Sequence, residues 1–239
     1  MLLVTQPQVI TISHIEIDPS DLPFNIISRL KDALFEGNRT AALSVLFFGV
    51  RENTKPIIGA ICVQLANFNA PVEYEATSTW AHIREAQLKT TRTLPNVGMA
   101  SAIDIGEAAD IHPRNKRDVG HRLAQWALAH TYHRPIVPNG PHYAGYTLEG
   151  DAIRIHFTEV GGGLVIAGPD KRIKTCWIAG SNRKFVPAQA TIDGDTLLVH
   201  TAGIPAPKAV RYAWADNPDG CNLYNAEGFP ASPFRTDTW

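Results

Sequence analysis

The chain has 239 residues, 44% of them hydrophobic, enough to bury a sizeable core in one or two domains. Its 22 Lys and Arg are balanced by 23 Asp and Glu, so no strong field is available to hold a polyanion or an anionic membrane, and neither nucleic acid nor membrane is an expected partner. Cys62, Cys176 and Cys221 are far apart, odd in number and without C-x-x-C spacing, which argues against a zinc site or a disulfide framework and leaves buried thiols.

The opening MLLVTQPQVITISH has no basic stretch, and Gln6, Pro7 and Gln8 break its apolar positions, so it does not read as a signal peptide. No apolar run reaches the roughly 18 residues needed to cross a bilayer. Residues 1–60 form a divergent N-terminal segment. Val9, Ile10 and Ile12 suggest a strand; Pro19, Ser20 and Asp21 mark a helix start; Ile26, Ile27, Leu30 and Leu34 form a helical face. The run from Ala41 to Val50 suits either a buried strand or a helix, and periodicity does not choose.

From Ile57 to Leu65 a continuous apolar run predicts a parallel strand covered on both faces. Residues Thr79 to Lys89 place Trp80, Ile83, Ala86 and Gln87 on one helical face. Val97 to Ile105 reads as a second strand, followed by the loop Gly106 to Pro113. Val119, Leu123, Trp126, Ala127 and His130 then recur at helical spacing, with Asn115 and Asp118 as an N-terminal cap. Strand, helix, strand, loop, helix is the rhythm of a doubly wound parallel α/β sheet, here partial and assigned to residues 61–135.

Three prolines and a glycine between Pro135 and Pro141 predict a linker. Beyond it, alternating runs at Ala152–Thr158, Thr175–Ala179, Ala188–Ile192, Thr196–Thr201 and Val210–Trp214 are separated by Gly161-Gly162-Gly163, Gly168-Pro169-Asp170 and Asp193-Gly194-Asp195. Residues 142–239 are therefore expected to form an antiparallel β-sandwich-like domain.

The stretch from Asp104 to Lys116 carries the chemistry. It lies where a predicted strand gives way to a loop, the place where open α/β sheets put their active sites. His112 can serve as general base only if a carboxylate fixes its tautomer and orientation. Asp110 can fold back beside it in a turn, and Asp104 can approach from the strand end; the residues alone leave both open. Gly161-Gly162-Gly163 is followed by neither Lys-Ser nor a helix, so it reads as a tight turn and no phosphate cofactor is expected. His121, His130 and His133 lack a carboxylate at metal-ligand spacing and read as exposed or capping groups, with no metal expected. Trp177, Tyr212, Trp214 and Phe229 suit either a β-domain core or a sugar platform. Arg84 and Gln87 read as helix-surface or interdomain hydrogen-bonding groups.

Several segments, in serial order, resemble the sialate O-acetylesterases of the SGNH hydrolase superfamily. Val63-Gln-Leu-Ala-Asn-Phe68, Trp80 with Arg84-Glu-Ala-Gln87, Gly98-Met-Ala100, Asp104-Ile-Gly106, Asp110-Ile-His-Pro-Arg-Asn-Lys116 and Val119-Gly-His-Arg-Leu-Ala124 look like the second half of that catalytic domain. Gly140-Pro141 with Tyr143, Gly161 to Leu164, Phe185, Ala188, Val210-Arg-Tyr-Ala-Trp214, Leu223-Tyr-Asn225 and Pro230 to Asp237 look like the family's β-rich ending. The likeness spans residues 61–239. It implies a serine-type carboxylic ester hydrolase acting on O-acetylated sialic acid or a related acetylated sugar, with His112 as the catalytic histidine and Asp110 or Asp104 as its orienter. Such relatives are often periplasmic, secreted or lysosomal.

The family's Gly-Gln-Ser-Asn block with its nucleophile, and its later Gly-Glu-Ser-Asn-like block, do not occur here. Ser13, Ser20, Ser28, Ser44, Ser78, Ser101, Ser181 and Ser232 all lack the glycine-flanked sharp turn that exposes a nucleophile. Impaired hydrolysis is therefore expected, the alternative being a non-catalytic remnant or carbohydrate-binding fragment.

Overall fold

A computed structural model of the chain describes residues 2–6, 9–12, 45–52, 55–72, 74–169 and 171–239, with side chains described from Ala60 onward. The helix expected around Ile26 to Leu34, and Ser13, Ser20, Ser28 and Ser44, lie outside the described residues.

β1 (Leu2–Gln6) and β2 (Val9–Ile12) pair antiparallel, in line with the strand expected at Val9. The undecided run ending at Val50 contributes to a strand, β3 (Val45–Glu52), which pairs antiparallel with β4 (Lys55–Val63). β4 in turn pairs parallel with β5 (Val97–Ala100). Among the described residues this is the one parallel pairing; the sheets are otherwise antiparallel. β5 is shorter than its apolar run, because the chain turns at Ala102, whose carbonyl accepts from Ile105 N at 3.3 Å. Ala102 and Ile103 are fully buried without being paired, so apolar character there marks burial and not a ladder.

The β4–β5 crossover carries helix α1 (Thr79–Thr93), whose N-cap Ser78 accepts from Ala81 N at 3.0 Å. Its buried stripe is Ala81, Arg84, Gln87, Leu88 and Thr90, rotated from the expected Trp80–Ile83–Ala86–Gln87 face. Polar residues turn inward because they have backbone groups to satisfy: Gln87 bonds Leu65 N and Val63 O along the end of β4. Helix α2 (Lys116–His130) starts at the expected cap Asn115 and buries Arg122 and Trp126. Trp126 lies against Gly98 of β5, where a Cβ would run into its indole ring.

The β-rich part comprises β6 (His142–Glu149), β7 (Ala152–Thr158), β8 (Leu164–Ile166), β9 (Cys176–Ala179), β10 (Phe185–Pro187), β11 (Gln189–Asp193), β12 (Thr196–His200), β13 (Ala209–Tyr212), β14 (Leu223–Asn225) and β15 (Phe234–Arg235). Two four-stranded sheets, β11-β12-β7-β6 and β10-β9-β13-β15, are accompanied by a separate two-stranded sheet, β14-β8. Alternate residues Ile153, Ile155, Leu197 and Val199 of the first sheet share one buried cluster with Cys176, Ile178, Val210 and Tyr212 of the second, the pattern of a sandwich core.

The β-rich part is tied to the helical part by three arginines. Arg211, in a buried pair with Asp237 at 2.7 Å, also donates to Tyr74 Oη and Ala76 O. Arg235 pairs with Glu85 of α1 at 3.1 Å. Arg84, fully buried, donates to four carbonyls: Leu65 and Ala66 beyond β4, and Ala215 and Asp216 beyond β13, at 2.7–2.8 Å.

Candidate active site

The loop that leaves the carboxyl end of β5 carries Asp104, Asp110 and His112. Its base is rigid. Asp104 forms a two-pronged ion pair with Arg122 of α2, at 2.7 and 2.8 Å, and accepts from the Tyr224 hydroxyl of β14 at 3.0 Å. Arg122 also donates to Ser101 O at 2.7 Å. Both ion-pair side chains are close to buried, at 11% and 8% exposed. A fork-to-carboxylate match of this kind is strong and directional. Burial and the neighbouring Asp104 carboxylate push the Tyr224 hydroxyl far above the usual tyrosine range, so it remains a donor.

One step further on, Gly106 N donates to Asn67 Oδ1 at 2.6 Å, and a side chain at Gly106 would collide with Asn67. Asn67 donates to Asn217 of the β-rich part at 2.9 Å, and Asn217 donates to Asn69 O at 2.8 Å. The loop therefore springs from a base fixed by α2, by β14 and by the segment after β13.

The tip is different. Asp110 accepts from the backbone N–H of His112 at 2.8 Å, closing a small side-chain turn, and the same oxygen lies 3.5 Å from His112 Nδ1. That distance is an ion-pair contact, longer than a mature N–H···O hydrogen bond. The His112 side chain is 69% exposed and that of Asp110 44%. The His112 N–H, followed by the imidazole itself, holds the Asp110 carboxyl below its ordinary range, so it is ionised at neutral pH and acceptor-only. Glu107 steadies the turn by accepting from Arg114 N at 3.0 Å, and its carbonyl accepts from Asp110 N at 3.3 Å. Thus Asp110 is brought to His112, while both oxygens of Asp104 are engaged by Arg122 and Tyr224.

Among the described serines, Ser78 caps α1 and donates to Asp216 at 2.6 Å, and Ser101 donates to Gln64 at 2.9 Å. Ser181 is exposed in a turn and Ser232 is buried. No described serine hydroxyl is hydrogen-bonded to His112. Among the described residues no group of three or more His, Cys, Asp or Glu could hold a metal ion, and no helix is long and apolar enough to cross a membrane. His121 and His130 are exposed, against Phe229 and Trp126 respectively. Glu227 accepts from Gly162 N at 2.9 Å, so the triple glycine is a turn held by a carboxylate. Tyr212, Trp214 and Phe229 are buried, whereas Trp177 is partly exposed beside Tyr74.

Arg122, Tyr224, Asn67 and Asn217 escaped the sequence reading. The signal for Arg122 was its place beside Leu123 and Trp126 at the helix's inner edge; the other three act across long sequence separations and leave no local pattern.

No family model and no curated protein matches the sequence. Among solved structures, a carbohydrate acetylesterase from Xanthomonas citri is similar, with 45% identity over 74% of this chain and a TM-score of 0.70. The chain spans 40% of the length of that structure.

Proposed function

We propose that the chain is the histidine-bearing and β-rich portion of a carbohydrate O-acetylesterase, of the SGNH and sialate O-acetylesterase type, in which His112 is the general base. The observation that carries this is the pairing of His112 with an ionised Asp110 on the loop beyond the carboxyl end of β5, in a chain 45% identical to a carbohydrate acetylesterase.

In such a reaction a serine oxygen attacks the acetyl carbonyl carbon while the imidazole takes the hydroxyl proton. The proton passes to the departing sugar oxygen as the ester bond breaks, and water, deprotonated by the same imidazole, then releases acetate. Asp110, accepting from Nδ1–H, holds the tautomer that leaves Nε2 basic and stabilises the imidazolium. The 3.5 Å separation has to tighten for that, as catalytic hydrogen bonds commonly do once substrate covers them. Asp104 belongs in this scheme as a support, since Arg122 and Tyr224 engage its oxygens. With no described serine on His112, we expect slow hydrolysis by this chain alone; loss of a triad nucleophile typically costs orders of magnitude in rate. Sialic acid or a related acetylated sugar is the proposed substrate.

Treatment with a fluorophosphonate probe tests the proposal. Weak serine labelling abolished by His112→Ala is expected. A well-folded protein that takes up no probe would overturn hydrolysis and favour a carbohydrate-binding fragment.

A further inference from the structure

At the opposite end of β5 from the histidine loop lies a cleft of about 360 Å³, walled by the end of α1, by α2, and by β6 and β7 across the Pro135–Pro141 stretch. This is the low end of the size range of small-molecule sites, roughly 300–1,000 Å³, and its position between packed elements is a common one for them. Trp126, Gly98 and His130 line it, Trp126 lying against Gly98 and His130 stacked on the indole at 4.6 Å between ring centres.

The walls carry alternating donors and acceptors. Arg92 gives one N–H to Tyr143 O at 2.6 Å, which leaves further guanidinium donors at the cleft. Asn139 adds a side-chain amide to the wall. Burial, with Arg92 adding to it, pushes the His142 imidazole down to about 4, so at neutral pH it is an uncharged donor and acceptor. Thr158 adds a hydroxyl, Glu159 a carboxylate and Asn96 a second amide. Asn96 and Glu159 both hold φ at 58°, a left-handed conformation uncommon outside glycine, and both line this one cleft. Asparagine tolerates that region, so Glu159 is the rarer of the two.

We infer that this cleft is a second carbohydrate site, taking one or two neutral sugar rings, separate from the ester-cleaving loop. Vicinal hydroxyls each donate and accept, and planar amide, guanidinium and carboxylate groups match them in pairs. A single cation set against a single carboxylate suits an uncharged ligand. The proposed esterase function is invoked only to choose a sugar over another polyol.

The test is amide NMR of the full chain titrated with a neutral methyl pyranoside, methyl glucuronide and acetate. Millimolar neutral sugar is expected to shift the Gly98, Asn139 and His142 amides. The double variant N96G/E159G is expected to bind at least tenfold more weakly while folding normally, because glycine accepts both backbone conformations without strain. Absence of shifts, shifts confined to residues 101–115, unchanged affinity in the double variant, or a preference for glucuronide or acetate would each overturn the inference. No ester bond is read in this experiment, so it can fail while fluorophosphonate labelling succeeds, and the reverse.

Discussion

The base and the tip of the histidine loop are built on opposite principles. At the base, Asp104 is close to buried and gripped by Arg122 and Tyr224. At the tip, Asp110 and His112 are exposed and joined by one backbone hydrogen bond and a 3.5 Å contact. Two carboxylates six positions apart are thus placed differently: the buried one anchors the base of the loop through Arg122, and the exposed one closes the turn that carries His112.

The largest effect expected from breaking this arrangement lies one layer below the base. Arg84→Met leaves three buried carbonyls, those of Leu65, Ala66 and Ala215, without the guanidinium and weakens the hold on a fourth, that of Asp216, and should cost about 4 kcal/mol in urea unfolding. Asp104→Ala strands the Arg122 guanidinium and should cost about 3 kcal/mol by the same measurement. Tyr224→Phe removes one hydrogen bond to Asp104 and should cost about 1 kcal/mol. In a double-mutant cycle with Asp104→Asn its effect should be non-additive, because the two groups touch.

The smallest effect belongs to the tip. Asp110→Asn should leave stability at pH 7 close to that of the parent, as substitutions at exposed positions usually do. Its carboxyl is held below the ordinary range in the folded chain, so its contribution is present above the unfolded value of about 3.9 and is lost as pH falls through the lower folded value. Asp110→Asn should therefore remove a shallow acid-side decline in stability, visible in melts below about pH 4. An equal decline in the variant would place that titration elsewhere.

The legible parts of the sequence were those governed by nearby residues. β7 spans the alternating run Ala152–Thr158, and α2 begins at Asn115 because the cap is a local side-chain-to-backbone bond. The Asp110–His112 turn was accessible for the same reason. β6 was not read as a strand, because most of its residues stand exposed or half-exposed and give no apolar alternation. β8 and β14 are three residues each, too short for a period. The face of α1 was misplaced because an arginine and a glutamine fill its interior stripe, and their partners lie up to 132 residues away. The choice between Asp104 and Asp110 stayed open in the sequence for a related reason: Tyr224, which helps hold Asp104, is 120 residues from it.

The proposed division of labour between the two carboxylates is tested most directly by measuring acetate release from an O-acetylated sugar by the parent, Asp110→Asn and Asp104→Asn chains beside their melting temperatures. The expected result is a fall in the rate with an unchanged melt for Asp110→Asn, and a lowered melt for Asp104→Asn. An Asp110→Asn chain that releases acetate as fast as the parent would contradict it.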